Sequence, residues 1–100
     1  IIRGGENIAP AEVEHVLEEH SSVSEAAVIG IPDVEWGEVV VAVLIPNKDS
    51  ATPSDADMTV FVKERLASYK APSSYEWVAE LPRNHLGKVL KIDLRDTYTN

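Results

Sequence analysis

The sequence predicts an α+β domain, with a small antiparallel sheet of about three strands packed with two to three helices. Three observations carry that prediction. Two segments place apolar residues at helical spacing, Val13, Val16 and Leu17 in one and Met58, Phe61, Val62, Leu66 and Tyr69 in the other, so each has one apolar stripe to bury. Between them, residues 25–31 and 38–45 are continuous runs of valine, isoleucine and alanine, as expected of strands covered on both faces. Residues 75–79 read as a third strand, and two striped helices need a sheet to bury against.

Taken in order, residues 1–8 are a short extended piece broken by Gly4 and Gly5, a pair that marks a turn or a close backbone approach. Pro10 is placed to open a helix, where its missing N–H costs nothing, and Glu12 and Glu14 suit the positive end of the helix dipole. That helix should end near His20, with Glu12, Glu18 and Glu19 in solvent. Gly30, Pro32, Asp33 and Gly37 mark a short connection and therefore antiparallel pairing of the two apolar strands. Trp36 is expected to pack over the end of that pair in a structural role. Residues 47–56 form a polar surface loop, and Asp55 or Asp57 is the expected cap of the second helix. Pro72 stops that helix. Residues 89–96 form a short terminal helix with Leu90 and Leu94 inward.

One hundred residues, 44% hydrophobic and 26% charged, fit a single globular domain over 1–100. Cysteine is absent, which removes disulfides and thiolate metal sites, and His15, His20 and His85 lack zinc-site spacing. No metal ligand is therefore assigned. A net charge of −8 disfavours nucleic acid and an anionic membrane surface as partners. The longest apolar run, residues 39–45, is far short of the ~20 residues that span a bilayer. With no charged leader followed by an apolar core, the cytoplasm is the expected compartment. The chain opens at Ile1 inside an apolar run without methionine, as expected of a fragment of a longer protein.

The candidate chemistry lies near the end, in Pro82-Arg83-Asn84-His85-Leu86-Gly87-Lys88-Val89-Leu90-Lys91. Gly87 permits backbone dihedrals closed to other residues and has no Cβ to obstruct a ligand. Lys88 extends a flexible, triple-donor cation from the loop tip, suited to an oxygen of a phosphate or carboxylate. Alone, the same residues also read as an ordinary turn with a solvated lysine.

Together with Arg3-Gly4-Gly5-Glu6-Asn7-Ile8-Ala9-Pro10 at the other end, this segment resembles the signatures that open and close the small C-terminal domain of the acyl-activating, adenylate-forming enzymes. The closing signature is Pro-x-x-x-x-Gly-Lys-x-x-(Lys/Arg). Pro32-Asp33-x-x-Trp36-Gly37-Glu38 and Leu66-Ala67-x-Tyr69-Lys70-x-Pro72 fall between them in matching order.

The resemblance implies that the chain is the mobile C-terminal domain of an acyl-CoA synthetase, a ligase joining fatty or aromatic carboxylic acids to CoA, and that a large N-terminal domain holding the adenylate pocket lies outside it. It implies ATP, Mg2+ and CoA in the full enzyme, none held tightly by this fragment, with a small-molecule carboxylic acid as co-substrate. Lys88 would enter the active site during adenylation, with Gly87 supplying the loop conformation. After a large domain rotation, Gly4 and Gly5, with Glu6 and Asn7, would line the tunnel for the pantetheine thiol. Arg3 is a candidate phosphate contact that reads equally well as surface charge, and Lys70 a candidate contact to the CoA nucleotide. Lys91 matches a basic motif position but reads as a solvated helix end, and Arg83 and His85 receive no role. The fragment alone should be inactive. Two alternatives stand beside this one: an adenylation domain that loads a carrier protein, and a non-catalytic α+β binding module.

Overall fold

Strands β1 (Ile2–Arg3) and β2 (Glu6–Asn7) form a hairpin in a computed structural model that describes residues 1–99. They are followed by α1 (Pro10–Glu18), β3 (Val23–Asp33), β4 (Gly37–Pro46), α2 (Asp55–Lys63), β5 (Ser74–Trp77) and α3 (Lys91–Tyr98). The α+β architecture is the expected one. The sheet is larger than the sequence suggested, with five strands among the described residues in the order β2-β1-β4-β3 and β5 also on β4.

The β3–β4 ladder runs antiparallel from Val23↔Pro46 to Asp33↔Gly37 and is the spine of the domain. Its tight connection depends on Asp33, whose Oδ1 accepts from the N–H groups of Glu35 and Trp36 at 2.9 and 3.0 Å. The missing hydrophobic alternation has a direct cause, since both faces are covered. Ala26, Val28, Val40, Ala42 and Leu44 face α1 and α2, whereas Ala27, Ile29, Ile31, Val41 and Val43 face Leu81 and, on α3, Leu94. β5 joins β4 in parallel, because the chain crosses from the end of β4 through α2 before returning to the sheet.

Several local expectations are corrected. Ser54, not Asp55 or Asp57, caps α2: its hydroxyl accepts from the Asp57 N–H at 3.1 Å, leaving both aspartates in the first turn, where the dipole favours them. The second helix does not run to Tyr69. It ends at Lys63, and a separate 3₁₀ turn, Ser68–Lys70, carries the tyrosine. Glu18 is not simply solvated. Its carboxylate accepts from Ala26 N–H at 3.1 Å, and that of Glu14 accepts from Val28 N–H at 2.8 Å. Together they satisfy donors on the outer edge of β3, which among the described residues has no strand partner on that side.

Candidate functional site

Gly4 and Gly5 form the two-residue turn between β1 and β2. Their φ values of +56° and +85° are both left-handed, the requirement of a type I′ hairpin turn, and Gly-Gly satisfies it without strain. The turn is anchored to the spine through its backbone. Arg3 pairs with Gly37, Gly4 N–H donates to the Trp36 carbonyl at 2.8 Å, and Ile2 N–H donates to Glu38 at 2.9 Å. A Cβ on Gly4 would lie 2.8 Å from the Trp36 ring, whereas one on Gly5 would meet nothing within 4 Å. The exposed face of this turn is therefore Gly5, with Glu6 and Asn7 exposed beside it.

Trp36 packs on this turn, and the Arg3 guanidinium lies 4.2 Å from its ring centroid. Stacking engages the flat face of the guanidinium and leaves its N–H edge for other partners. Arg3 Nε is enclosed and, among the described residues, has no hydrogen-bond partner.

The lysine loop lies at the other side of the sheet. A bridge between Arg83 and Val89 closes it, and Gly87, at φ +86°, turns the chain back before Lys88. Lys88 is exposed and, among the described residues, has no ion-pair partner. Lys91 behaves differently from its expected solvation, since its ammonium is 2.8 Å from the Glu14 carboxylate. An open groove of about 760 Å³ separates the loop and the start of α3 from Ala26 and Ala27 of β3.

Lys70 is in neither loop. It is paired with Glu12 at 2.5 Å, and that hydrogen-bonded carboxylate holds its pKa above the ordinary lysine value. The pairing ties the 3₁₀ turn to the first turn of α1. Arg3, Gly4, Gly5, Glu6 and Asn7 are thus brought together at one site and Gly87 and Lys88 at a second. The two are far apart: Gly37, the partner of Arg3, is opposite Asp33, and Arg83 pairs with Glu25, eight residues earlier on β3, or ~27 Å along the strand.

Sequence reasoning passed over two residues in the lysine loop. Arg83 donates to the Gly87 carbonyl at 3.1 Å and pairs with Glu25, which fixes the loop to β3. Asn84 accepts from two N–H groups of the loop through its side chain. Asparagine two residues ahead of a Leu-Gly step is a local signal for such a turn, whereas the Arg83–Glu25 contact joins positions 58 apart and has no local signature.

The chain belongs to the AMP-binding enzyme C-terminal domain family, whose model matches residues 12–88. Among curated relatives, it is similar to the fatty acid–[acyl-carrier-protein] ligase ScoC of Streptomyces coeruleorubidus, with 45% identity over 98% of this chain and 19% of that protein. It is 41% identical to the long-chain-fatty-acid–CoA ligase FadD13 of Mycobacterium tuberculosis over 99% of this chain and 19% of that protein. Among solved structures, a Mycobacterium tuberculosis fatty acyl CoA synthetase superposes with a TM-score of 0.91 at 40% identity, over 100% of this chain and 20% of that one. The amide bond synthetase McbA of Marinactinospora thermotolerans gives 0.94 at 35% identity, again over 100% of this chain and 20% of that one. The chain spans about a fifth of the length of the curated relatives it matches.

Proposed function

We propose that this chain is the mobile C-terminal domain of an ATP-dependent acyl-CoA ligase, and that it serves two half-reactions with two different loops. In the first, a carboxylate oxygen of the acid attacks the α-phosphorus of ATP. A P–O bond forms to the acyl group, and the bond to the pyrophosphate oxygen breaks. Negative oxygens crowd together throughout, so a cation aimed between them fixes their geometry and offsets charge developing in the transition state. Lys88 takes that role, on a loop whose tip is opened by Gly87. In the second half-reaction the thiol of CoA displaces AMP, and the Gly4-Gly5 turn with Glu6 and Asn7 lies along the pantetheine arm. Arg3 is assigned a phosphate contact through the terminal nitrogens of its guanidinium, since its Nε is enclosed. Lys70 is assigned a place near the CoA nucleotide, although its pairing with Glu12 must be released or shared for that contact.

The observation that carries this proposal is the separation of the two loops, ~27 Å along the β3–β4 ladder and on opposite edges of it. One cavity in a partner domain can receive only one of them at a time, so use of both requires the domain to turn over between steps. The nucleotide and acyl pockets are assigned to an N-terminal domain of the same polypeptide. Mg2+ is assigned to the ATP phosphates and that domain. The 100-residue domain alone is then inactive. No described helix is long and apolar enough to cross a membrane.

The likeness to ScoC supports a second acceptor, the phosphopantetheine thiol of an acyl carrier protein. CoA and a loaded carrier present the same thiol arm to the glycine turn, so the domain chemistry is common to both.

The test uses the full-length ligase carrying Lys88→Ala. Pyrophosphate exchange, which reports adenylate formation, should fall by at least ~10²-fold, while thioester formation from supplied acyl adenylate persists. Equal loss of both half-reactions would refute the division of labour. Offering CoA and a carrier protein in parallel identifies the acceptor.

A further inference from the structure

The lysine loop is clamped by one side chain that the proposed mechanism does not use. Asn84 Oδ1 accepts hydrogen bonds from the backbone N–H of Leu86 at 2.9 Å and of Lys88 at 3.0 Å. The backbone of the same residue closes the ring: its N–H donates to the Lys88 carbonyl and its carbonyl accepts from Gly87 N–H, each at 2.9 Å. Four hydrogen bonds thus join Asn84 to the loop tip, and two of them end on Lys88.

This matters because, among the described residues, none pairs with the Lys88 ammonium. The side chain is exposed. Four rotatable bonds separate its ammonium from the backbone, so the domain controls only the direction in which the backbone launches it. Gly87, at φ +86° and with open space where a Cβ would lie, permits that direction but does not select it, because glycine enters many conformations about equally well. Selection falls to groups that bond to the tip. The Arg83 guanidinium contributes at the Gly87 carbonyl and ties the loop stem to Glu25, but both partners are about one-third exposed and their ion pair is weakened by salt. Asn84 acts on Lys88 directly and is uncharged.

We infer that Asn84 is a positioning residue for the adenylation step: its side-chain oxygen fixes the backbone at Lys88 so that the ammonium is presented in one direction to the reacting carboxylate and phosphate oxygens. This rests on the role proposed above for Lys88. A displacement of about 1 Å at a reacting group costs roughly 10²-fold in rate, so a loop freed from this clamp should lose rate without losing substrate affinity.

The experiment compares the full-length ligase with its Asn84→Ala, Asn84→Asp, Asn84→Ser and Lys88→Ala variants in both half-reactions. For Asn84→Ala the kcat of pyrophosphate exchange should fall about 10- to 100-fold, with KM for ATP unchanged and thioester formation from supplied acyl adenylate retained. Asn84→Asp and Asn84→Ser keep an acceptor oxygen, and at least one should recover part of the lost rate. The inference is overturned if Asn84→Ala exchanges at the parent rate, if neither acceptor-bearing variant recovers activity, or if both half-reactions decline together, as they would for a merely structural asparagine. The Lys88→Ala arm separates two kinds of failure. Normal exchange in that variant removes the role of Lys88 and this inference with it. Exchange abolished there but intact in Asn84→Ala removes the role of Asn84 alone.

Discussion

The glycine turn at residues 3–6 and the lysine loop at residues 83–89 are built from the same local device and differ in how much side chains add to their backbone bonds. Each reverses the chain with left-handed glycine and closes with an antiparallel pairing. The glycine turn is held chiefly by backbone bonds, from Gly4 to the Trp36 carbonyl and between Ile1 and Ile8, with Trp36 and Arg3 stacked against it. The lysine loop adds side chains to its backbone bonds: Asn84 across the tip, Arg83 onto Glu25, and Lys91 onto Glu14. A backbone-held turn presents a bare, narrow surface and is broken by adding atoms. A loop reinforced by side chains presents a functional group and is broken by removing polar ones. The first suits a surface that lies against a thin chain, and the second suits the delivery of a charge.

The largest expected effects cross between the two regions. Lys88→Ala should depress adenylate formation and spare thioester formation, and Gly5→Leu should do the reverse. Strain complicates Gly5→Leu, because any Cβ at φ +85° costs of order 1–3 kcal/mol. Gly5→Asn supplies the control, since asparagine tolerates that conformation far better and adds less bulk. If Gly5→Leu and Gly5→Asn form thioester at the parent rate while the full-length protein stays folded, the turn does not line the thiol path. Gly4 is the wrong probe for this purpose: its Cβ would strike Trp36 and report packing instead.

A smaller effect, without direction, is expected from the spine that joins the two loops. Leu44 is fully buried in β4 among Val28, Val40 and Ala42, on the face covered by α1 and α2. Leu44→Ala should lower stability by about 2–5 kcal/mol through lost burial and the cavity left behind. Chemical denaturation measures that loss. At temperatures where the variant remains folded, its two half-reactions should keep their ratio. A selective loss of one of them would mean that the spine biases the loops rather than merely carrying both.

Much of this was legible in the sequence because the determinants are local. Val13, Val16 and Leu17 announced α1, and the continuous apolar runs announced strands buried on both faces. Gly4, Gly5 and Gly87 all occupy left-handed positions, which follows from residue type at a turn. What escaped depends on residues distant in the chain. The β1–β2 hairpin has strands of only two residues and exists as sheet because Arg3 finds Gly37 on β4. The end of α2 at Lys63 could not be read either, since Phe61, Leu66 and Tyr69 all pack on the same core while only the first belongs to that helix. Helical spacing cannot distinguish one long helix from a helix followed by a 3₁₀ turn that continues the same buried stripe. The ion pairs of Lys91 with Glu14 and Lys70 with Glu12 likewise join segments that meet only in the fold.

The smallest expected effect concerns Tyr75 of β5, which belongs to neither loop and should therefore alter stability without touching either half-reaction. Its ring is buried with the α1 and α2 residues, and its hydroxyl lies 2.9 Å from that of Thr59 on α2. Burial pushes the Tyr75 pKa above its ordinary value, with the Thr59 hydrogen bond opposing and the Asp55 charge adding to that shift. The folded state then holds the proton more tightly than the unfolded chain, so this contribution is present below the ordinary tyrosine pKa of about 10 and is lost as pH rises from there through the folded value. Lys70 and Tyr98 are also raised and act with the same sign, so the whole alkaline decline is not due to Tyr75. The difference between the parent and Tyr75→Phe isolates it. At neutral pH the variant should be less stable by ~1 kcal/mol for the lost hydrogen bond. That gap should narrow as denaturation is repeated at increasing pH above about 10. A gap that stayed constant would mean that burial does not perturb this hydroxyl. A shift in the ratio of the two half-reactions would mean that the α2 face of the sheet communicates with the loops after all.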